Sequence, residues 1–282
     1  MNGWLVEAPR QIDSADAFRL KLFEASAHSG VLAGFDFPIG WPEKYGAKTG
    51  FHSFAEALPQ LGAREWSQFF DVASQRSEIS VTRPFFPARP GGTRRSHLVE
   101  GLGLNSADEL LRICEIASNA SSLFWTLGAK QVGKAAISGW KEIISPAVSS
   151  GCSLWPFEGS LKHLSERGGL VIAETYPAAA YHYVGIKFVK SGKRSVEGRR
   201  QQSETVFTWA ERSNIIFDVV CQSNIESGFE HLGPDGEDAF DALMGLLGMI
   251  EVVDGRRPEG TPSNPAILTW EGWILGLQPV SY

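Results

Sequence analysis

The chain is short of several things, and each shortage closes off a class of protein. Its 282 residues hold three cysteines, Cys114, Cys152 and Cys221, far apart and without CxxC or Cys/His ligand spacing. That excludes a disulfide framework and a zinc finger, and leaves buried free thiols as the expectation. No apolar stretch approaches the roughly 20 residues of a membrane-spanning helix. The opening Met1-Asn2-Gly3-Trp4 lacks the basic and apolar blocks of a signal peptide, so a cytoplasmic protein without a membrane partner is expected. Basic charge is not in excess: the net charge is -6 and the pI near 5.6, which argues against coating nucleic acid through bulk charge. There is no P-loop, no GxGxxG after a strand, no GxSxG elbow and no HExxH helix. The six histidines are scattered. His182 and His97 are the two worth following.

What is present is an ample apolar fraction, 43% of residues, and a pattern of buried strands that end on acids. In "GVLAGFDFPIGWP" the run Val31-Leu32-Ala33-Gly34-Phe35 is apolar on both faces and stops at Asp36, Pro38, Gly40 and Pro42, as a buried strand does before a turn. A carboxylate there is costly unless something needs its charge. "GGLVIAETYP" repeats the pattern: Leu170 to Ala173 runs into Glu174, and Pro177 ends the element. Two strands that both deliver a carboxylate at the C-terminal end point to a ligand site beyond the sheet. Upstream, "NGWLVEAP" reads as a strand and "SADAFRLKLFEASAHSG" as a helix capped by Ser14 and stopped by Gly30. With the Asp36 strand these make a strand, helix, strand unit of a parallel sheet.

A third element, "GEDAFDALMGLLGMIEVVDG", reads as a helix with Asp238 and Asp241 on one face and an apolar stripe of Phe240, Leu243, Met244, Leu247 and Ile250. Below Asp241 lie only small residues, Ala242, Gly245 and Gly248, so the aspartate face is expected against the sheet. Acids at a helix head also complement its dipole, which is the plainer reading. Between residues 42 and 160 the text turns to short helical patterns and the Arg-rich, Pro-rich "RPFFPARPGGTRRSH", read as an inserted, mainly helical subdomain within one α/β domain spanning 1–282. Trp125, Trp140, Trp155 and Trp209 sit in apolar surroundings and are expected in a core rather than under stacked bases.

Asp36, Glu174, Asp238 and Asp241 together form an all-carboxylate set. Hard oxygen ligands without His or Cys select Mg²⁺ or Mn²⁺ over zinc, and one or two such ions activate water in phosphodiester cleavage. Lys187, Lys190, Lys193, Arg194, Arg199 and Arg200 in "KFVKSGKRSVEGRR", with Arg83, Arg89, Arg94 and Arg95, supply candidate phosphate contacts. A solvated surface loop is the alternative for that segment.

The phrases "GFDFPIGWP", "AETYPAAAY", "KRSVEGRR", "DAFDAL" and "EGWILG" resemble, in this order, the predicted ribonuclease-H-like nucleases grouped as domain-of-unknown-function family 429. The resemblance covers nearly the whole chain and extends to "TRPFFPARPGG", "LFWTLGAKQVGKAAISGW" and "SLWPFEG". It implies a ribonuclease-H-like mixed sheet flanked by helices and a metal-dependent nuclease activity on nucleic acid or a nucleotide, with Asp36, Glu174 and Asp241 catalytic and Asp238 assisting. A non-catalytic nucleic-acid-binding or scaffold protein on the same fold is the alternative. A phosphoryl-transfer enzyme is a third reading, weakened by the missing phosphate-cradling glycine loop.

The resemblance departs from its pattern in one place. Members of that fold carry a further aspartate on a first strand, in a "GxD" sequence, and here a later strand is already under way at Gly3-Trp4. The expectation is that DNA upstream of Met1 encodes, in frame, roughly 10 to 25 further residues with an apolar strand and an aspartate. Sequencing that DNA checks it: an in-frame stop directly before Met1 removes the extension and favours the non-catalytic reading.

Overall fold

A computed structural model describes residues 3–118, 120–128, 132–189, 192–261 and 263–279. The named strands are β1 (Trp4–Val6), β2 (Val31–Phe35), β3 (Ser153–Leu154), β4 (Leu170–Glu174) and β5 (Ile215–Phe217). Every pairing among them is parallel, so the protein is α/β, while the mixed sheet expected from the sequence is not seen among the described strands. Two compact units share the chain: Asp13–Glu174 with Glu259–Tyr282, and Met1–Ile12 with Thr175–Pro258. Each has its own core, as independent folding units do. No helix among the described residues is long and apolar enough to cross a membrane.

The larger unit contains the sheet β2-β4-β3. β4 is central and buried at all five positions, which is why its sequence is almost unbroken apolar text. Helix α1 (Ala15–Ser26) starts where the Ser14 side chain accepts the Ala17 N–H, and packs on β2 and β4. Short helices follow: α2 (Glu43–Gly46), α3 (Phe54–Ala57), α4 (Arg95–Gly101), α5 (Ile113–Ser118), α6 (Val132–Gly139) and α7 (Ser145–Ser149), before α8 (Leu161–Arg167) joins β3 to β4.

The segment from 42 to 160 is not a subdomain apart. Trp41, Tyr45, Phe54, Phe69, Phe85, Phe124 and Trp140 are all fully buried, in one continuous core with Ala33 and Phe35 of β2 and Leu170 and Ile172 of β4. Ring centroids lie 5.1 Å apart for Trp41 and Phe54 and 4.6 Å for Tyr45 and Phe124. Each such aromatic pair contributes about 0.5–1.5 kcal/mol beyond its area. The core therefore compensates for helices too short to be stable alone. Trp140 and Trp155 are buried as expected, and Trp125 and Trp209 are half-buried. Cys114, Cys152 and Cys221 are buried free thiols.

The smaller unit pairs β1 with β5, Trp4 opposite Ile215. The expected strand, helix, strand unit is therefore not formed: β1 and β2 belong to different sheets. Around β1 and β5 stand α9 (Pro177–Val184), α10 (Val196–Arg200), α11 (Ser203–Arg212), α12 (Val219–Ser227) and α13 (Gly236–Val253). The predicted stripe of α13, Phe240, Leu243, Met244, Leu247 and Ile250, is buried throughout. Its small residues meet a helix rather than a sheet. A Cβ at Gly248 would lie 2.9 Å from the Ala180 Cβ of α9, and one at Gly245 would lie 3.7 Å from Thr175 Oγ1. The glycines let the two helix backbones approach. Gly248→Val is expected to force α9 and α13 apart and to destabilise the protein by about 1–3 kcal/mol. Urea denaturation checks it, an unchanged midpoint being the contrary result.

Candidate functional site

In the larger unit, β2 ends at Phe35, the register partner of Glu174 on β4. Asp36 follows at once and is exposed, whereas Glu174 is only 5% exposed. The two predicted carboxylates thus leave the C-terminal ends of neighbouring parallel strands but meet opposite environments. The desolvation cost falls on Glu174, and the group that offsets it is an arginine that sequence reasoning did not single out.

Arg112, 1% exposed, stands just before α5. Its Nη1 and Nη2 donate to Glu174 Oε2 and Oε1 at 2.7 and 2.8 Å, and its Nε donates to Glu115 Oε1 at 3.0 Å. Nη1 also donates to the Glu271 carbonyl at 3.0 Å. A paired guanidinium fork of this kind is the strong form of ion pair. The Glu271 side chain accepts the N–H groups of Glu43 and Ile113 at 3.1 and 2.7 Å, at the starts of α2 and α5. Burial works against the Arg112 charge, yet Cys114, Glu174 and Glu115 outweigh it and hold its pKa above the ordinary arginine value. Burial pushes Glu115 up to about 7, against the pull of Arg112, and pushes Glu271 upward as well.

The loop after β2 is held from several sides. Ile39 N–H donates to Glu174 Oε2 at 2.7 Å, Trp140 Nε1 donates to the Pro38 carbonyl at 2.6 Å, and Trp41 N–H donates to the Trp270 carbonyl at 2.9 Å. Gly40 has φ +132°, and a Cβ there would lie 2.1 Å from the Glu271 carbonyl oxygen. Only glycine fits that position. An exposed acid on a backbone this constrained is suited to ligand binding.

In the smaller unit, Glu237 and Asp238 open α13, with Asp241 one turn on. Lys193 Nζ lies 3.1 Å from Glu237 Oε1 and 2.9 Å from Asp241 Oδ2, and the Tyr181 hydroxyl donates to Asp241 Oδ1. Partial burial opposes the lysine charge, but Asp241 and Glu237 prevail and raise its pKa. Asp238 is raised by partial burial and then by the neighbouring Asp241, Glu237 and Asp235.

The predicted basic segment is sorted by these contacts. Arg199 is 2% exposed, donating from Nε to the Gly228 carbonyl at 2.9 Å and from Nη1 to the Lys193 carbonyl at 2.8 Å. Arg199 is thus a core strut and not a phosphate contact, and Lys193 is a counter-ion. Arg200 pairs with Glu197 on α10. Lys187 and Arg194 are exposed, and Lys190 lies outside the described residues. Arg83 is half-buried between Glu78 and the Val72 carbonyl, while Arg89, Arg94 and Arg95 are exposed. His182 is exposed, and the His97 ring meets Phe86 edge-on.

The four predicted carboxylates are divided between the units, Asp36 and Glu174 in the larger and Asp238 and Asp241 in the smaller. No group of three or more His, Cys, Asp or Glu side chains among the described residues is arranged to hold a metal ion. The oxygen-only character of Asp36 and Asp238 suits Mg²⁺ or Mn²⁺. Glu174 and Asp241 do not fit that role, because both oxygens of each already accept hydrogen bonds. No family model matches the chain, and no curated protein or solved structure matches it either.

Arg112, Glu115 and Glu271 carry a readable signal after the fact. Each is a charge inside an apolar or aromatic phrase, "ELLRICEIAS" and "LTWEGWILG", where isolated charges imply partners. Glu115 also makes stability depend on pH. Its folded pKa lies above the ordinary 4.5, so the folded state binds the proton more tightly. Its contribution is complete below about pH 4.5 and is lost as pH rises through about 7. Arg112, Cys114, Glu174 and Glu271 surround it and are common to both proteins in the comparison. Relative to Glu115→Gln, the unsubstituted protein is expected to lose melting temperature between pH 5 and 7.5. A difference constant across that range would contradict the buried proton.

Proposed function

We propose that this protein is a metal-dependent nuclease or phosphodiesterase of ribonuclease-H-like type, related to domain-of-unknown-function family 429. The observation that carries the reading is Asp36: an exposed carboxylate at the C-terminal end of a parallel strand, on a loop fixed by hydrogen bonds at Pro38, Ile39 and Trp41. Acids in that position serve ligands in α/β sheets. In the larger unit the residue that would hold Mg²⁺ or Mn²⁺ is Asp36. The ion would supply Lewis-acid polarisation of a phosphoryl oxygen and a more acidic bound water. Lys187, Arg194 and Arg200, with Arg89, Arg94 and Arg95, would meet phosphate. The order of the sequence phrases supports the family, and the α/β architecture agrees with it at the level of class.

A second reading is a nucleic-acid-binding protein without catalysis. It is favoured by the neutralisation of two of the predicted acids within the protein itself, Glu174 by Arg112 and Asp241 by Lys193. Melting with and without Mn²⁺, together with cleavage of single-stranded DNA and RNA oligonucleotides, separates the two. The nuclease reading expects a Mn²⁺-dependent rise in melting temperature that Asp36→Asn abolishes with the fold retained. Replacing Lys187, Arg194 and Arg200 by Ser should reduce the salt slope of oligonucleotide binding by about 2 to 3. Oligonucleotide binding with neither cleavage nor a Mn²⁺ response would select the second reading.

A further inference from the structure

We propose that Arg112 is the positioning residue of the Asp36 loop, and that Glu174 serves as the link between them instead of meeting a metal ion. The inference deepens the metal-site reading of Asp36 and rests on it for its consequence, while the linkage itself stands on hydrogen bonds within one unit.

Glu174 Oε2 is shared by two donors, Arg112 Nη1 and Ile39 N–H, each at 2.7 Å, and Oε1 accepts Arg112 Nη2 at 2.8 Å. Moving this carboxylate toward an ion would strip the guanidinium of its main partner while leaving it 1% exposed, and would orphan the Ile39 N–H. Breaking one side of a buried ion pair is strongly destabilising, and an unsatisfied buried donor adds to that cost. The same guanidinium holds the other wall of the loop. Nη1 donates to the Glu271 carbonyl at 3.0 Å, the atom that a Cβ on Gly40 would strike at 2.1 Å. One side chain therefore fixes Ile39 through Glu174 and Gly40 through Glu271, three and four residues after Asp36.

The requirement is for the fork and not for charge alone. Three nitrogens in one plane reach Glu174, Glu271 and Glu115 together, which a lysine ammonium cannot reproduce. Residues that orient a ligand-bearing group without touching the metal typically change its affinity by about 10- to 100-fold when altered.

The test uses the full chain at pH 6, with melting temperature and its response to Mn²⁺ alone as the readouts, on Arg112→Lys, Arg112→Gln, Glu174→Gln and the Arg112→Gln/Glu174→Gln double variant. Arg112→Gln should lower the melting temperature by about 10 °C. The double variant, with both charges gone, should melt well above the sum of the single losses, and it should keep a Mn²⁺ response. Arg112→Lys should fold and yet need at least about tenfold more Mn²⁺ for the same shift. Additive losses in the double variant would overturn the linkage. Loss of the Mn²⁺ response in a stably folded Glu174→Gln, with the response kept in Arg112→Lys, would make Glu174 a ligand and overturn the proposal. If the unsubstituted protein shows no Mn²⁺ response, the metal reading of Asp36 fails and the positioning role falls with it. The coupling between Arg112 and Glu174 would then be a purely structural fact.

Discussion

The larger unit depends on one buried guanidinium. Arg112 gathers β4, the loop after β2, the start of α5 and the Glu271 turn around a single planar group. Three carboxylates, Glu115, Glu174 and Glu271, lie in the same dry neighbourhood. One arginine cannot neutralise three ionised acids, so burial raises Glu115 and Glu271, and backbone N–H groups take up the remaining acceptor capacity. Replacing such a set by apolar residues can cost little, whereas removing one member is expensive. The arrangement is therefore better understood as specifying geometry than as adding net stability. What it specifies is the path of the chain from Asp36 to Pro42.

Around that group the aromatic core gives the rigidity that short helices cannot. Trp41 meets Tyr45, Phe54, Phe69, Trp140 and Trp270, and the Trp140 indole reaches back to the Pro38 carbonyl. Packing and hydrogen bonding thus converge on one loop. The segment between 42 and 160 supplies most of the aromatic residues of that core, which covers the sheet together with α1.

In the smaller unit the same economy of charge applies. Lys193 is shared by Glu237 and Asp241, and Arg199 is enclosed by backbone carbonyls. A run of six cations thereby offers only some of them to an outside partner, with Lys187 and Arg194 exposed. Charge density along a sequence overstates what a folded surface presents, because a cation near a helix head rich in acids is used internally first.

Much was settled by the sequence alone. The alternation of apolar runs with Pro and Gly located β2 and β4 and their terminal acids, the 3.6-residue stripe located the buried face of α13, and Ser14 marked the start of α1. These are local matters of periodicity and capping, which a chain carries in its own text. Only the tertiary structure decided which strands pair, so β1 joined β5 and left β2 to β4. It also decided which charges meet: Arg112 is 62 residues from Glu174, and Lys193 is 48 residues from Asp241. Nothing in either residue's neighbourhood in sequence announces the partner. The energy of a buried charge depends on the groups packed around it in space, and for that reason Asp36 could be placed at its strand end from the text while the fate of Glu174 could not.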